Sequence, residues 1–186
     1  MLKTTSLRRI NDTTLGRFFG SYLQAAQSIN NTFTLTQDQF TARKIKPTDS
    51  ETVKYFIQKM LIKKGGVGID ERYYDSDLTD VFHTFSAGKS GFWALAKKGE
   101  IYGTLGLKSR GEEGVLSKFY LEQEAMGHAE QLLKMAQSAA KRHGMKQLRM
   151  AIDASDAATK EIITAADFVF LTSDGEGLDF YVQIVK

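Results

Sequence analysis

The chain of 186 residues contains no cysteine, which excludes disulfides, iron–sulfur clusters, thiolate zinc sites and a cysteine nucleophile together. It has one proline, Pro47, and no apolar run approaching the roughly 18 residues of a membrane-spanning helix. Internal repeats and low-complexity tracts are also missing, so solenoid, collagen-like and coiled-coil readings fail. Acidic residues are scarce in one place. Residues 1–37 hold Lys3, Arg8, Arg9 and Arg17 against Asp12 alone, and the rest of the chain balances acid against base. The net charge of +3 therefore belongs to the N-terminal segment. A neutral body lacks the clustered basic surface that nucleic acid requires, so nucleic acid is not expected as a partner. The chain as a whole is 42% hydrophobic and 25% charged, the balance of a soluble globular domain able to bury its own core.

Residues 1–39 read as a basic arm and residues 40–186 as one domain. The arm is rich in Ser, Thr and Asn. Leu7, Ile10, Leu15, Phe18, Phe19, Tyr22 and Leu23 give it a partial helical stripe. It fits a targeting peptide, an arm that docks Phe18, Phe19 and Tyr22 on a protein partner or a second copy, or a segment packed on its own domain. A retained, docked arm is the reading adopted.

From residue 40 the elements alternate legibly. Phe40–Lys46 reads as a short strand stopped by Pro47, and Thr48 with Glu51 has capping-box spacing. Val53, Phe56, Ile57, Met60 and Leu61 form one face of a helix that stops at Gly65-Gly66. Leu78, Val81, Phe82 and Phe85 mark a shorter helix. Three strands follow, Gly91–Ala96, Ile101–Leu107 and Val115–Leu121, with turns at Lys97–Glu100 and Gly111–Gly114. A long helix is expected over Glu122–His143, with Gly144 as its terminating glycine. Then come a strand at Gln147–Ile152, a helix at Asp156–Ala166, and a hairpin of Phe168–Leu171 with Leu178–Val185. Trp93, Phe92 and the aromatics of that hairpin read as core. The order β-α-α-β-β-β-α-β-α-β-β predicts an α/β fold with a mixed sheet and one crossover around the long helix.

A strand that runs into a helix through a glycine turn presents backbone N–H groups at the positive end of the helix, which suits a phosphate. Gly127-His128-Ala129 occupies that place. The ordered set of elements, with Gly127-His128-Ala129, Leu132–Leu133, Gly144, Asp156-Ala-Ala-Thr159 and Asp167-Phe168, resembles the GNAT superfamily of N-acetyltransferases over about three quarters of the chain. The resemblance implies a GNAT-like mixed sheet, acetyl-CoA as cofactor, and transfer of an acetyl group to a primary amine. It implies cofactor contacts from Leu121, Met126, Gly127, His128, Ala129 and Asp156. His128 could donate a ring N–H to a phosphate oxygen.

The chain departs from the family pattern at chemical positions. Glu124 stands where an Arg or Gln donor is expected, and Ile163 where a tyrosine protonates the leaving thiolate. Glu113 and Glu122 flank the central strand as candidate bases beside Glu112, and Tyr120 is the substitute acid. The histidines lack ligand spacing, so no metal is expected. These departures set up an alternative: a non-catalytic GNAT-fold adaptor, docked by its arm in a larger assembly such as a virion. The location follows the reading, cytoplasmic for the enzyme and an assembled particle for the adaptor.

Overall fold

The computed structural model describes residues 39–64 and 76–186. The readings of the arm, and the helix stop at Gly65-Gly66, lie outside the described residues. The elements are β1 (Thr41–Lys44), α1 (Ser50–Lys63), α2 (Val81–Ser86), β2 (Gly91–Lys97), β3 (Glu100–Arg110), β4 (Glu113–Leu121), α3 (Ala129–Arg142), β5 (Gln147–Asp153), α4 (Ala157–Ala165), β6 (Val169–Ser173) and β7 (Leu178–Ile184). The seven strands form one sheet in the order β1-β2-β3-β4-β5-β7-β6. All pairs are antiparallel except β4–β5, which is parallel because α3 carries the chain across.

Successive strand residues point to opposite faces, and here both faces are covered. Trp93 and Leu95 join a core with Leu132, Leu133, Ala136 and Ala140 of α3, while Phe92 and Ala94 join a second core with Val53, Phe56 and Ile57 of α1 and Phe85 of α2. This is why β2 reads as an unbroken apolar run. Gly106 in β3 lets the second core close, because a Cβ there would sit 2.6 Å from the Phe85 ring.

Three expectations are revised. The capping-box spacing of Thr48 and Glu51 is not what starts α1. A 3-10 turn at Pro47–Asp49 precedes it, and Asp49 Oδ2 accepts the Lys46 N–H at 2.7 Å while pairing with Arg43. The long helix is divided, with a 3-10 segment at Gln123–His128 leading into α3. Gly127 lies in that segment, and glycine is a poor residue for a helix interior. Gly144 ends α3 in the left-handed conformation, φ 69°, as the spacing predicts. The last hairpin supplies the third revision. Tyr181 and Phe168 are buried, but β6 is an edge strand and its Phe170 is 52% exposed.

Candidate functional site

β4 and β5 lie side by side only over Glu113↔Gln147 to Leu116↔Met150. Beyond Leu116, β4 stays paired with β3 as far as Leu121, and β5 stays paired with β7 as far as Asp153. Each strand follows its outer neighbour, so the sheet opens into a wedge. The backbone groups of Ser117–Leu121 that face β5 have no strand to bond, which is the state of an edge awaiting an extended, amide-bearing chain.

Two adjoining cavities occupy this wedge. One of about 240 Å³ is bounded by Ser117, Lys118 and Tyr120 of β4, Met150–Asp153 of β5, and Asp156. The other, about 280 Å³, is bounded by Leu121, Glu122, Gln123, Met126 and Asp156, with Met60, Lys63 and Lys64 at the end of α1. Ser117 Oγ is buried and has no hydrogen-bond partner, an unusual expense for a hydroxyl unless a ligand meets it. A larger cavity, about 500 Å³, lies elsewhere, between α3 and the β6–β7 hairpin, and contains none of the predicted site residues.

At the wedge β4 carries a bulge. Thr104 pairs with Tyr120 and Gly106 with Ser117, so Leu105 faces two residues, Lys118 and Phe119. Lys118 takes a left-handed backbone conformation, φ 55°. Its displaced carbonyl accepts the hydroxyl of the buried Thr104 at 2.8 Å. Burial pushes the Lys118 ammonium below the ordinary lysine range.

The charges at the rim are paired. Glu122 meets Lys63 at 2.5 Å and Lys59 at 2.9 Å, and these two ammonium groups hold its carboxyl below the usual range despite partial burial. Asp156 caps α4, accepting the Thr159 N–H at 3.0 Å and the Thr159 hydroxyl at 2.8 Å, and it pairs with Lys64. Burial pushes its pKa up, but the Lys64 and Thr159 bonds outweigh this and leave it lowered.

The predicted residues therefore divide into three groups. Tyr120, Leu121, Glu122, Met126 and Asp156 come together in the wedge. Gly127, His128 and Ala129 stand at the entrance to α3. His128 occupies the N-cap position without a side-chain cap bond, a Cβ on Gly127 would meet nothing within 4 Å, and the Ala129 N–H is donated to the Met126 carbonyl. The His128 ring packs on Phe40 at 4.8 Å between centroids, 3.4 Å from Gln131 Nε2. Glu113 is separate from both groups, at the end of the β4–β5 pairing away from the wedge, where it pairs with Arg149 at 2.9 Å and Gln147 at 3.2 Å. Glu112 pairs with Lys146 beyond it.

Sequence reasoning missed three residues. In a 3-10 segment side chains three apart eclipse, so Gln123 and Met126 both bound the cavity, whereas Glu124, exposed like Gln123, bounds neither. Ser117 and Lys118 were detectable, since two polar residues in succession break the alternation of β4. Among the described residues no group of three or more His, Asp or Glu is placed to hold a metal ion.

The architecture is that of GNAT acetyltransferases, and the chain has the GNAT fold. It is similar to a GNAT-family acetyltransferase from Staphylococcus aureus Mu50 (TM-score 0.70, 16% identity, 80% of this chain and 100% of that one). It is also similar to the PaiA N-acetyltransferase from Thermoplasma acidophilum, solved with coenzyme A (0.63, 17%, 78% and 99%). A third is yncA, a putative acetyltransferase from Salmonella typhimurium solved with acetyl-CoA (0.63, 16%, 79% and 94%). By sequence, no family model and no curated protein matches the chain.

Proposed function

We propose that the chain is an acetyl-CoA-dependent N-acetyltransferase that acylates a primary amine in the cytoplasm. The observation that carries this is the wedge, with a strand edge that β5 leaves without a partner strand and an unpartnered buried hydroxyl at Ser117. Acetyl-CoA has the matching parts. Its pyrophosphate suits the positive end of α3 around Met126–Ala129, with Gln123 alongside, and its two pantetheine amides suit the β4 edge near Leu121. Acetyl-CoA supplies the thioester, and the chain supplies position and charge.

Tyr120 lies in the wedge and is the hydroxyl proposed to return a proton to the leaving sulfur. Glu122 is proposed to orient the Lys59 and Lys63 ammonium groups along the rim. Its lowered pKa makes it a weak base, so a water relay is the better route for the proton of the incoming amine. Glu113, committed to Arg149, is proposed to fasten β4 to β5 at the end of their paired stretch away from the wedge.

The test is acetyl-CoA binding to the full-length chain by calorimetry, with Gly127→Glu as control. Open space at Gly127 means that the substitution adds charge without a steric clash. Binding that is lost in the variant is the expected result. A second reading, the non-catalytic adaptor docked through residues 1–39, is favoured by one observation. Ile163, at the tyrosine position of the resemblance, is fully buried at 0% exposure, so that position contributes packing and no acid. Absence of acetyl-CoA binding in the wild-type chain would select it.

A further inference from the structure

Lys118 has no part in the transfer just described, yet the fold goes to some length to hold it in the wedge. A non-glycine residue at positive φ costs about 1–2 kcal/mol, and strain of this kind persists where the surroundings impose it. Here the surroundings are specific. The bulge inserts the residue, Thr104 fixes its carbonyl, and the residue bounds the cavity where β4 and β5 part. A glycine would satisfy the backbone at no strain, so the amine is not there for the turn.

Partial burial shifts the amine toward its neutral form, the form that acts as a nucleophile. The titratable groups that share its cavity are Lys64, Asp153, Asp156 and Tyr120. Asp156 is bonded to Lys64 and Thr159, and Asp153 accepts the Ser155 N–H and hydroxyl.

We propose that Lys118 is itself an acyl acceptor, so that the chain acetylates its own Nζ from a thioester held in the wedge. This rests on the acetyl-CoA reading given above. The lone pair of the neutral Nζ attacks the thioester carbonyl carbon. A C–N bond forms, the C–S bond breaks, and the sulfur leaves with the bonding pair. The proton lost from nitrogen ends on that sulfur through solvent, giving acetyl-lysine and free CoA thiol. No oxidant or further reactant is needed. The product is uncharged, so the burial that disfavours the ammonium no longer opposes the side chain.

The experiment uses the full-length chain in three arms. The first is calorimetry with acetyl-CoA. The second is incubation with acetyl-CoA followed by intact-mass analysis and peptide mapping, on wild type and Lys118→Arg, with the melting curve of the variant checked against wild type. The third needs no cofactor: brief competitive labelling by acetic anhydride from about pH 6 to pH 10, which compares Lys118 with the exposed lysines of the same chain. Expected are binding, one acetyl group per chain mapped to Lys118 and lost in Lys118→Arg, and anhydride labelling of Lys118 at a lower pH than the exposed lysines. Binding without acetylation of Lys118, or acetyl groups confined to exposed lysines, overturns this inference and leaves the cofactor reading standing. Absence of binding overturns the cofactor reading and this inference with it. Anhydride labelling of Lys118 that tracks the exposed lysines overturns the neutral-amine argument whatever the other arms give.

Discussion

At Lys118 a backbone strain and a side-chain desolvation fall on one residue, and they can be separated by substitution. Lys118→Gly removes both the left-handed penalty and the half-buried amine, and is expected to stabilise the chain by about 1 kcal/mol in urea denaturation. Lys118→Ala removes the amine and keeps the strained backbone, so its gain should be smaller. Equal gains would mean that φ 55° carries no cost here. Asp156 gives the complementary case, a residue whose bonds are favourable. Asp156→Ala deletes the α4 cap and should cost about 1 kcal/mol. Asp156→Asn keeps an oxygen for the Thr159 N–H, loses the partly exposed Lys64 pair and makes the Thr159 hydroxyl the acceptor of its bond, so most of the stability should return. Thermal melts of the two variants check this.

At the scale of elements, the decisive one is the segment between β4 and α3. Its winding, more than its sequence, determines which side chains reach the cavity. An α-helix from Glu122 onward would place residues 3.6 to a turn, whereas the 3-10 segment eclipses Gln123 with Met126 and turns Glu124 outward. The carboxylate that resemblance places against a pyrophosphate is thereby directed away from the wedge. If the cofactor reading holds, Gln123→Ala should weaken acetyl-CoA binding by the worth of one hydrogen bond to a charged group, about 1.5–3 kcal/mol. Glu124→Ala should change it little, and calorimetry of both variants checks the contrast. The strands were legible because β2, β3 and β4 are bounded by glycine-bearing turns. The exposure of Phe170 was not, since an aromatic on an edge strand and one on an inner strand look alike until the sheet order is known.

At the scale of the whole molecule, the carboxylates that hold separate elements together share one sign of pH dependence. Asp49, Glu122 and Asp156 all have folded pKa values lowered below their usual ones. As pH falls, the unfolded chain takes up protons before the folded one does. The stability from these groups is therefore complete above the unfolded values, about 3.9 for Asp and 4.3 for Glu, and is lost as pH drops through the lower folded values. The melting temperature is expected to be flat for these groups from about pH 8 to pH 5 and to fall below about pH 4. Glu122→Gln should make that acid limb shallower, because it removes one of the groups responsible. A decline that begins near neutral pH would assign the acid sensitivity to other groups.

The elements and their order were determined by the sequence alone, because helix and strand periodicity, a terminating glycine at 144 and glycine-marked turns are local properties of consecutive residues. The same locality explains what it could not determine. The wedge exists because β5 follows β7 and β4 follows β3, a matter of which distant strands pair. The separation of Glu113 from Glu122 is set by where along β4 that pairing ends, although both residues flank the same strand. The bulge that places Lys118 in the wedge appears in sequence only as two polar residues in a row. It takes the register against β3 to turn them into an extra residue, a left-handed backbone and a half-buried amine.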